Sequence, residues 1–126
     1  MKVKTLVLSN GNFEELEIDD TLEGLQALVG GYIEHAFIGD DFYERDIDLF
    51  INEEGKFIEG LNNEIVLVKR GTNKILDIIF GNCVFVSHDD EGETISLNEE
   101  QKKFIIEKLN IDVMLSNGKP SKALFI

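Results

Sequence analysis

Asn10-Gly11, set between two short apolar stretches, constrains this chain more than any other pair of residues in it. Both residues tolerate positive φ, so Ser9-Asn10-Gly11-Asn12 predicts a tight antiparallel connection between strands at 2–8 and 13–18. A chain that opens on such a hairpin commits its first strands to an antiparallel sheet. Later apolar runs at 48–51, 65–68 and 75–86 have strand-like composition and are bounded by turns containing Gly, Asn or Asp. The last is interrupted at Gly81-Asn82, where a bulge or bend is expected.

Two segments switch to helical spacing. Leu22, Leu25, Leu28 and Val29 form one stripe, with Asp20 and Glu23 at capping-box spacing at its start. Gly30 is placed to close that helix in the left-handed conformation, where a Cβ is disfavoured. Gly31 either completes the turn or lets another backbone or a ligand come close. Leu97, Phe104, Ile105 and Leu109 stripe a second helix that ends near Asn110, with Ser96 and Glu99 as its capping box.

Between the helices, Tyr32 to Ile38 alternates as a strand. Ile33, His35 and Phe37 share one face, and Tyr32, Glu34 and Ala36 share the other. Asn52-Glu53-Glu54-Gly55-Lys56 reads as a turn with Gly55 at a positive-φ position, and Phe57-Ile58 starts the return. Gly60-Leu61-Asn62-Asn63 breaks it again, and His88–Gly92 turns the chain toward a run at 93–97. Ser116-Asn117-Gly118 sits between two short apolar runs of the tail and predicts a final hairpin. The expected fold is α+β: one domain over 1–126, a mainly antiparallel sheet, two helices and a C-terminal hairpin.

Composition narrows the classes of function. Hydrophobic residues make up 43% of the 126, with nine Phe, enough for one core. Cys83 is the single cysteine, so no internal disulfide is expected, and a reduced cytoplasm is the natural setting. No apolar run approaches a membrane span, and the N-terminal MKVKTLVLSNGNF lacks a cleavage pattern and reads as a strand. The net charge is −13, from 25 acidic and 12 basic residues. Such a chain is repelled by phosphate backbones, which argues against direct nucleic-acid binding. Its acidic pairs serve solubility and helix starts, or they imitate nucleic acid toward a basic groove.

Dinucleotide, phosphate-loop, nucleophile-elbow and zincin motifs are absent. Cys83, His35 and His88 match no zinc spacing, and Asp46-x-Asp48 fails as a calcium loop because Phe50 takes the third ligand position. No metal, cofactor or catalytic residue is assigned. His35 reads as a hydrogen-bonded, semi-buried strand residue. Basic side chains are few, so Lys56, the Lys69-Arg70 pair and Lys74 carry what information there is about an anionic ligand.

The segments LQALVGGYIE (25–34), NEEGK (52–56) and IIFGNCVFVSHDDEGE (78–93) resemble a family of domains of unknown function carried by bacteriophages, prophages and other mobile elements. The resemblance spans about 2–109 and leaves 110–126 as an extension. It departs at Gly60-Leu61-Asn62-Asn63, where a proline is expected after the leucine. It implies a mobile-element protein working in a bacterial cytoplasm, without an established reaction, and by analogy a counter-defence protein that works by binding. One expectation is a sponge for a nucleotide-type immune signal. Gly31 would let the ligand approach, Tyr32 stack on a base, Asn52 read its edge, and Lys56 or Arg70 meet a phosphate. The alternative is an acidic inhibitor of a CRISPR, restriction or other nucleic-acid-acting defence enzyme. Either reading admits a homo-oligomer.

Overall fold

The computed structural model describes residues 1–116 and 118–126. The first hairpin forms as the Asn-Gly signal requires. β1 (Lys2–Ser9) and β2 (Asn12–Asp19) pair in full antiparallel register, with Ser9 opposite Asn12. Asn10 and Gly11 take φ of 53° and 80° between them.

The helix α1 (Leu22–Val29) follows, and Gly30 closes it at φ 80°, its N–H donating to the Gln26 carbonyl. Its N-cap is Thr21 rather than Asp20: Thr21 Oγ1 accepts the Gly24 N–H at 3.1 Å. Asp20 is still tied to the end of the hairpin, its N–H donating to the Met1 carbonyl at 3.0 Å. Gly24 has its own reason to be glycine, since a Cβ there would lie 2.4 Å from the Asp19 carbonyl oxygen.

β3 (Ile33–Ala36), the single helical turn α2 (Asp40–Tyr43) and β4 (Ile47–Asn52) come next. The Asn52–Lys56 segment then departs from expectation. Gly55 does not take positive φ; it opens a 3₁₀ turn (Gly55–Phe57) and is pressed against the chain, where a Cβ would sit 2.8 Å from the Phe80 carbonyl oxygen. Phe57-Ile58 do not start a strand either, because the 3₁₀ turn takes up Phe57; extended pairing resumes at β5 (Asn63–Val68).

β6 (Ile75–Phe80) and β7 (Cys83–His88) flank Gly81-Asn82, and the bend there moves the chain from one sheet to another. β8 (Thr94–Ile95) adds a short pair to β7. The helix α3 (Glu99–Leu109) is capped by Asn98 and Gln101, not by Ser96 and Glu99. Ser96 is occupied elsewhere, its Oγ accepting the Lys4 N–H at 2.8 Å. β9 (Asp112–Ser116) and β10 (Lys119–Phe125) pair antiparallel as the expected hairpin; Asn117, at its centre, lies outside the described residues.

One sheet runs β2-β1-β7-β4-β3 with β8 against β7, all antiparallel. The other runs β6-β5-β10-β9, with β5 and β10 parallel. Alternation along β1 feeds two cores. Leu6 and Leu8 meet Ile65, Leu67, Ile79 and Leu124 of the second sheet and Ile105 and Leu109 of α3. Val3 and Val7 meet Leu25 and Val29 of α1 on the opposite face. The fold is therefore α+β with two mostly antiparallel sheets, a few helices and a terminal hairpin.

Candidate functional site

Three of the five residues singled out from sequence meet where α1 ends beside β4. Asn52 is 5% exposed, and its side chain is engaged at both ends. Nδ2 donates to the Val29 carbonyl at 3.1 Å, and Oδ1 accepts the Glu54 N–H at 2.8 Å. Gly31 lies over this amide: a Cβ there would come 3.0 Å from Asn52 Nδ2. The Tyr32 carbonyl accepts the Glu53 N–H at 2.9 Å, while the residue is 68% exposed. Asn52 thus ties the C-terminal end of α1 to the end of β4.

Lys56 stands nearby, ion-paired with Asp77. It and Asn52 line a cleft of about 240 Å³ that also carries Glu34, Glu53 and Asp77; Tyr32 does not line it. Arg70 belongs to another surface. Its Nη2 reaches Asp41 Oδ2 and the Phe125 carbonyl, each at 3.4 Å, and Lys108 Nζ lies 3.3 Å from the same Asp41 oxygen. Lys108 first, and Arg70 after it, hold the Asp41 carboxyl below its ordinary pKa.

A second cleft, of about 320 Å³, forms where the first hairpin turn meets the start of β5 and the C-terminal hairpin. Asn10, Asn62, Asn63 and Ser121 line it together with Lys119 and Lys122. At its base Glu64, 4% exposed, accepts the N–H groups of Asn10 and Gly11, both at 2.8 Å. The turn that closes the hairpin therefore also presents two backbone donors to an anion. Asn62 Nδ2 donates to Asn10 Oδ1, Asn63 Nδ2 to Ser121 Oγ at 2.6 Å, and Lys122 Nζ to Asn110 Oδ1 at 2.7 Å. Lys122 also lies 5.4 Å above the Phe13 ring. Sequence reasoning treated Asn10-Gly11 and Asn62-Asn63 as separate turns. Their proximity depends on β1 and β5 lying in different sheets that face each other.

A third cluster crosses the first sheet. Asp48 Oδ1 pairs with His35 Nε2 at 3.0 Å, and Oδ2 with His88 Nδ1 at 2.8 Å. His88 Nε2 lies 3.4 Å from Asp46 Oδ1, and Asp46 holds φ 58°, an uncommon value for a residue with a Cβ. The hydrogen bond that His88 donates to the Asp48 carboxylate raises the His88 pKa, against the opposing effect of burial. His35 is hydrogen-bonded as expected, but its side chain is 57% exposed rather than semi-buried, because β3 is an edge strand. Among the described residues, no group of three or more His, Cys, Asp or Glu is arranged to hold a metal ion. Burial pushes the Cys83 thiol pKa up, which disfavours the thiolate.

Among the described residues, no helix is long and apolar enough to cross a membrane. Residues 1–110 match a protein family described as Domain of unknown function (DUF3846), and the match ends just before β9. No curated protein and no solved structure matches the chain.

Proposed function

We propose that the chain, which belongs to this DUF3846 family, is a non-enzymatic binding protein that sequesters a small nucleotide-type signal on behalf of a phage or other mobile element. The observation that carries this reading is the charge of the asparagine cleft. Two lysines face one carboxylate there, Glu64, and that carboxylate is already held by backbone N–H groups. The cleft beside Lys56 has the opposite balance, with Glu34, Glu53 and Asp77 against one lysine. In a chain of net charge −13, an anionic ligand is favoured where cations locally outnumber carboxylates.

The chemistry of the walls supports the same ligand class. The Asn62 amide spends one N–H on Asn10 Oδ1; the second N–H and the oxygen of a primary amide suit the edge of a nucleobase. Lys119 and Lys122 would meet phosphate oxygens as charge-assisted donors. A volume of about 320 Å³ suits a small molecule rather than a polymer. The seat of the ligand thus moves from Gly31, Tyr32, Asn52, Lys56 and Arg70 to the asparagine cleft, while the proposed ligand class stays. Native mass spectrometry of the protein after incubation in a lysate of infected, defended cells tests the reading. A retained mass in the nucleotide range supports it, and an unliganded protein counts against it.

The acidic-inhibitor reading has an observation of its own. β2 is an edge strand whose Glu14, Glu15, Glu17 and Asp19 are all exposed, so one sheet edge presents a row of carboxylates. A basic protein bound there would dissociate steeply as salt rises. Capture of a protein insensitive to salt speaks against that alternative.

A further inference from the structure

We propose that the outer edge of β9 is a self-association surface, and that its occupant is a second copy of this chain. β9 ends the second sheet, and among the described residues no strand pairs with its outer side. Val113 and Leu115 fall on one face of it, and Ile111, just before its start, continues the alternation; the three are 69% (Ile111), 67% (Val113) and 72% (Leu115) exposed. An edge strand offers unpaired N–H and C=O groups as a template for another strand, and folded proteins ordinarily blunt such edges.

The other three strands that end the two sheets are blunted. β2 carries four exposed carboxylates. β3 is four residues long and carries Glu34 and His35. β6 is irregular in its pairing with β5, and the 3₁₀ turn packs beside it with the Lys56–Asp77 ion pair. β9 has one charge, Asp112, among its five residues. In a chain of net charge −13, this is an edge from which the repulsive charge is nearly absent.

The strand is also complementary to itself. Two copies placed antiparallel about a two-fold axis through Val113 bring Val113 against Val113 of the second copy. Ile111 then faces Leu115 of the second copy, and Asp112 faces Met114 of the second copy. Every apolar residue of the stripe gains an apolar cross-strand neighbour, and no carboxylate faces its own copy. Three side chains per copy and one short ladder amount to less than a standard interface, so the dimer is expected to be weak, in the micromolar range or above. Added salt should strengthen it, because screening relieves the repulsion between two acidic bodies.

Sedimentation equilibrium of the full chain, from roughly 1 to 500 μM, tests this. The wild type should show a concentration-dependent dimer that salt favours. Val113 lines the asparagine cleft, so the variants are made at the flanking positions. Ile111→Lys and Leu115→Glu should each weaken the dimer at least tenfold while far-ultraviolet circular dichroism stays unchanged. The double variant should recover it, since each new lysine faces a new glutamate across the axis. A wild type that stays monomeric at the highest concentration overturns the proposal and leaves the stripe to a different occupant. Single variants that dimerise like the wild type overturn it too, and so does a double variant that remains monomeric.

Discussion

Asn52 shows how a residue picked out for ligand chemistry can be absorbed by the fold. A buried amide that bonds the Val29 carbonyl and the Glu54 N–H leaves both unpaired if it is truncated. Asn52→Ala should therefore lower stability by about 1–3 kcal/mol in chemical denaturation. An unchanged midpoint would remove the tie between α1 and β4. The two glycines of α1 give a sharper contrast. Gly30 sits at φ 80° with open space where a Cβ would go, so Gly30→Ala should cost about 1 kcal/mol, all of it conformational. Gly24→Ala would place a methyl 2.4 Å from the Asp19 carbonyl oxygen and should cost more. Gly30 was legible because helix ends have a known left-handed signature. Gly24 was not, because its constraint comes from a strand end that folds back over the helix start. His88 adds a pH dependence. Asp48 raises its pKa in the fold, so the bound proton stabilises the native state fully below the ordinary imidazole value of about 6.5. That contribution is lost as pH rises through the raised value. Asp48→Asn should flatten this part of the stability profile, from about pH 6.5 upward. An identical slope in wild type and variant would show that the pair does not titrate with folding.

At the scale of elements, local signals were readable and non-local ones were not. The Asn10-Gly11 hairpin, the Gly30 stop and the helical stripes depend on neighbours within a few residues, and each is found. Helix starts were displaced by one or two residues because tertiary bonds competed for the expected caps. Ser96 is taken by the Lys4 N–H, so Asn98 and Gln101 cap α3. Asn98→Ala should cost about 1 kcal/mol and Asn98→Asp much less, measured by denaturation. Equal losses would mean that the side-chain oxygen is not the stabilising group. The division of the apolar run 75–86 between two sheets had no local signature. Gly81-Asn82 announces a bend, but only the parallel pairing of β5 with β10 defines the sheet that β6 enters. That pairing joins residues more than fifty positions apart, and periodicity carries no record of it.

For the whole molecule, two sheets packed face to face bring the first hairpin turn, the Asn62-Asn63 break and the tail hairpin to one place. The resulting cleft draws one wall from residues 119–122, beyond the family match that ends at 110. Turn residues that read separately as punctuation become, in the fold, an array of amides with two lysines beside them. On the proposed function, this array binds a nucleotide-type anion. Titration calorimetry with cyclic nucleotides and ADP-ribose-type molecules, on the wild type and on Asn62→Ala/Lys119→Ala, tests it most directly. Each lost contact is worth about 1–3 kcal/mol, so a ligand of the wild type should bind the folded double variant at least tens of times more weakly. A wild type that binds none of these molecules, or a double variant that binds as tightly as the wild type, would rule the asparagine cleft out as a nucleotide site.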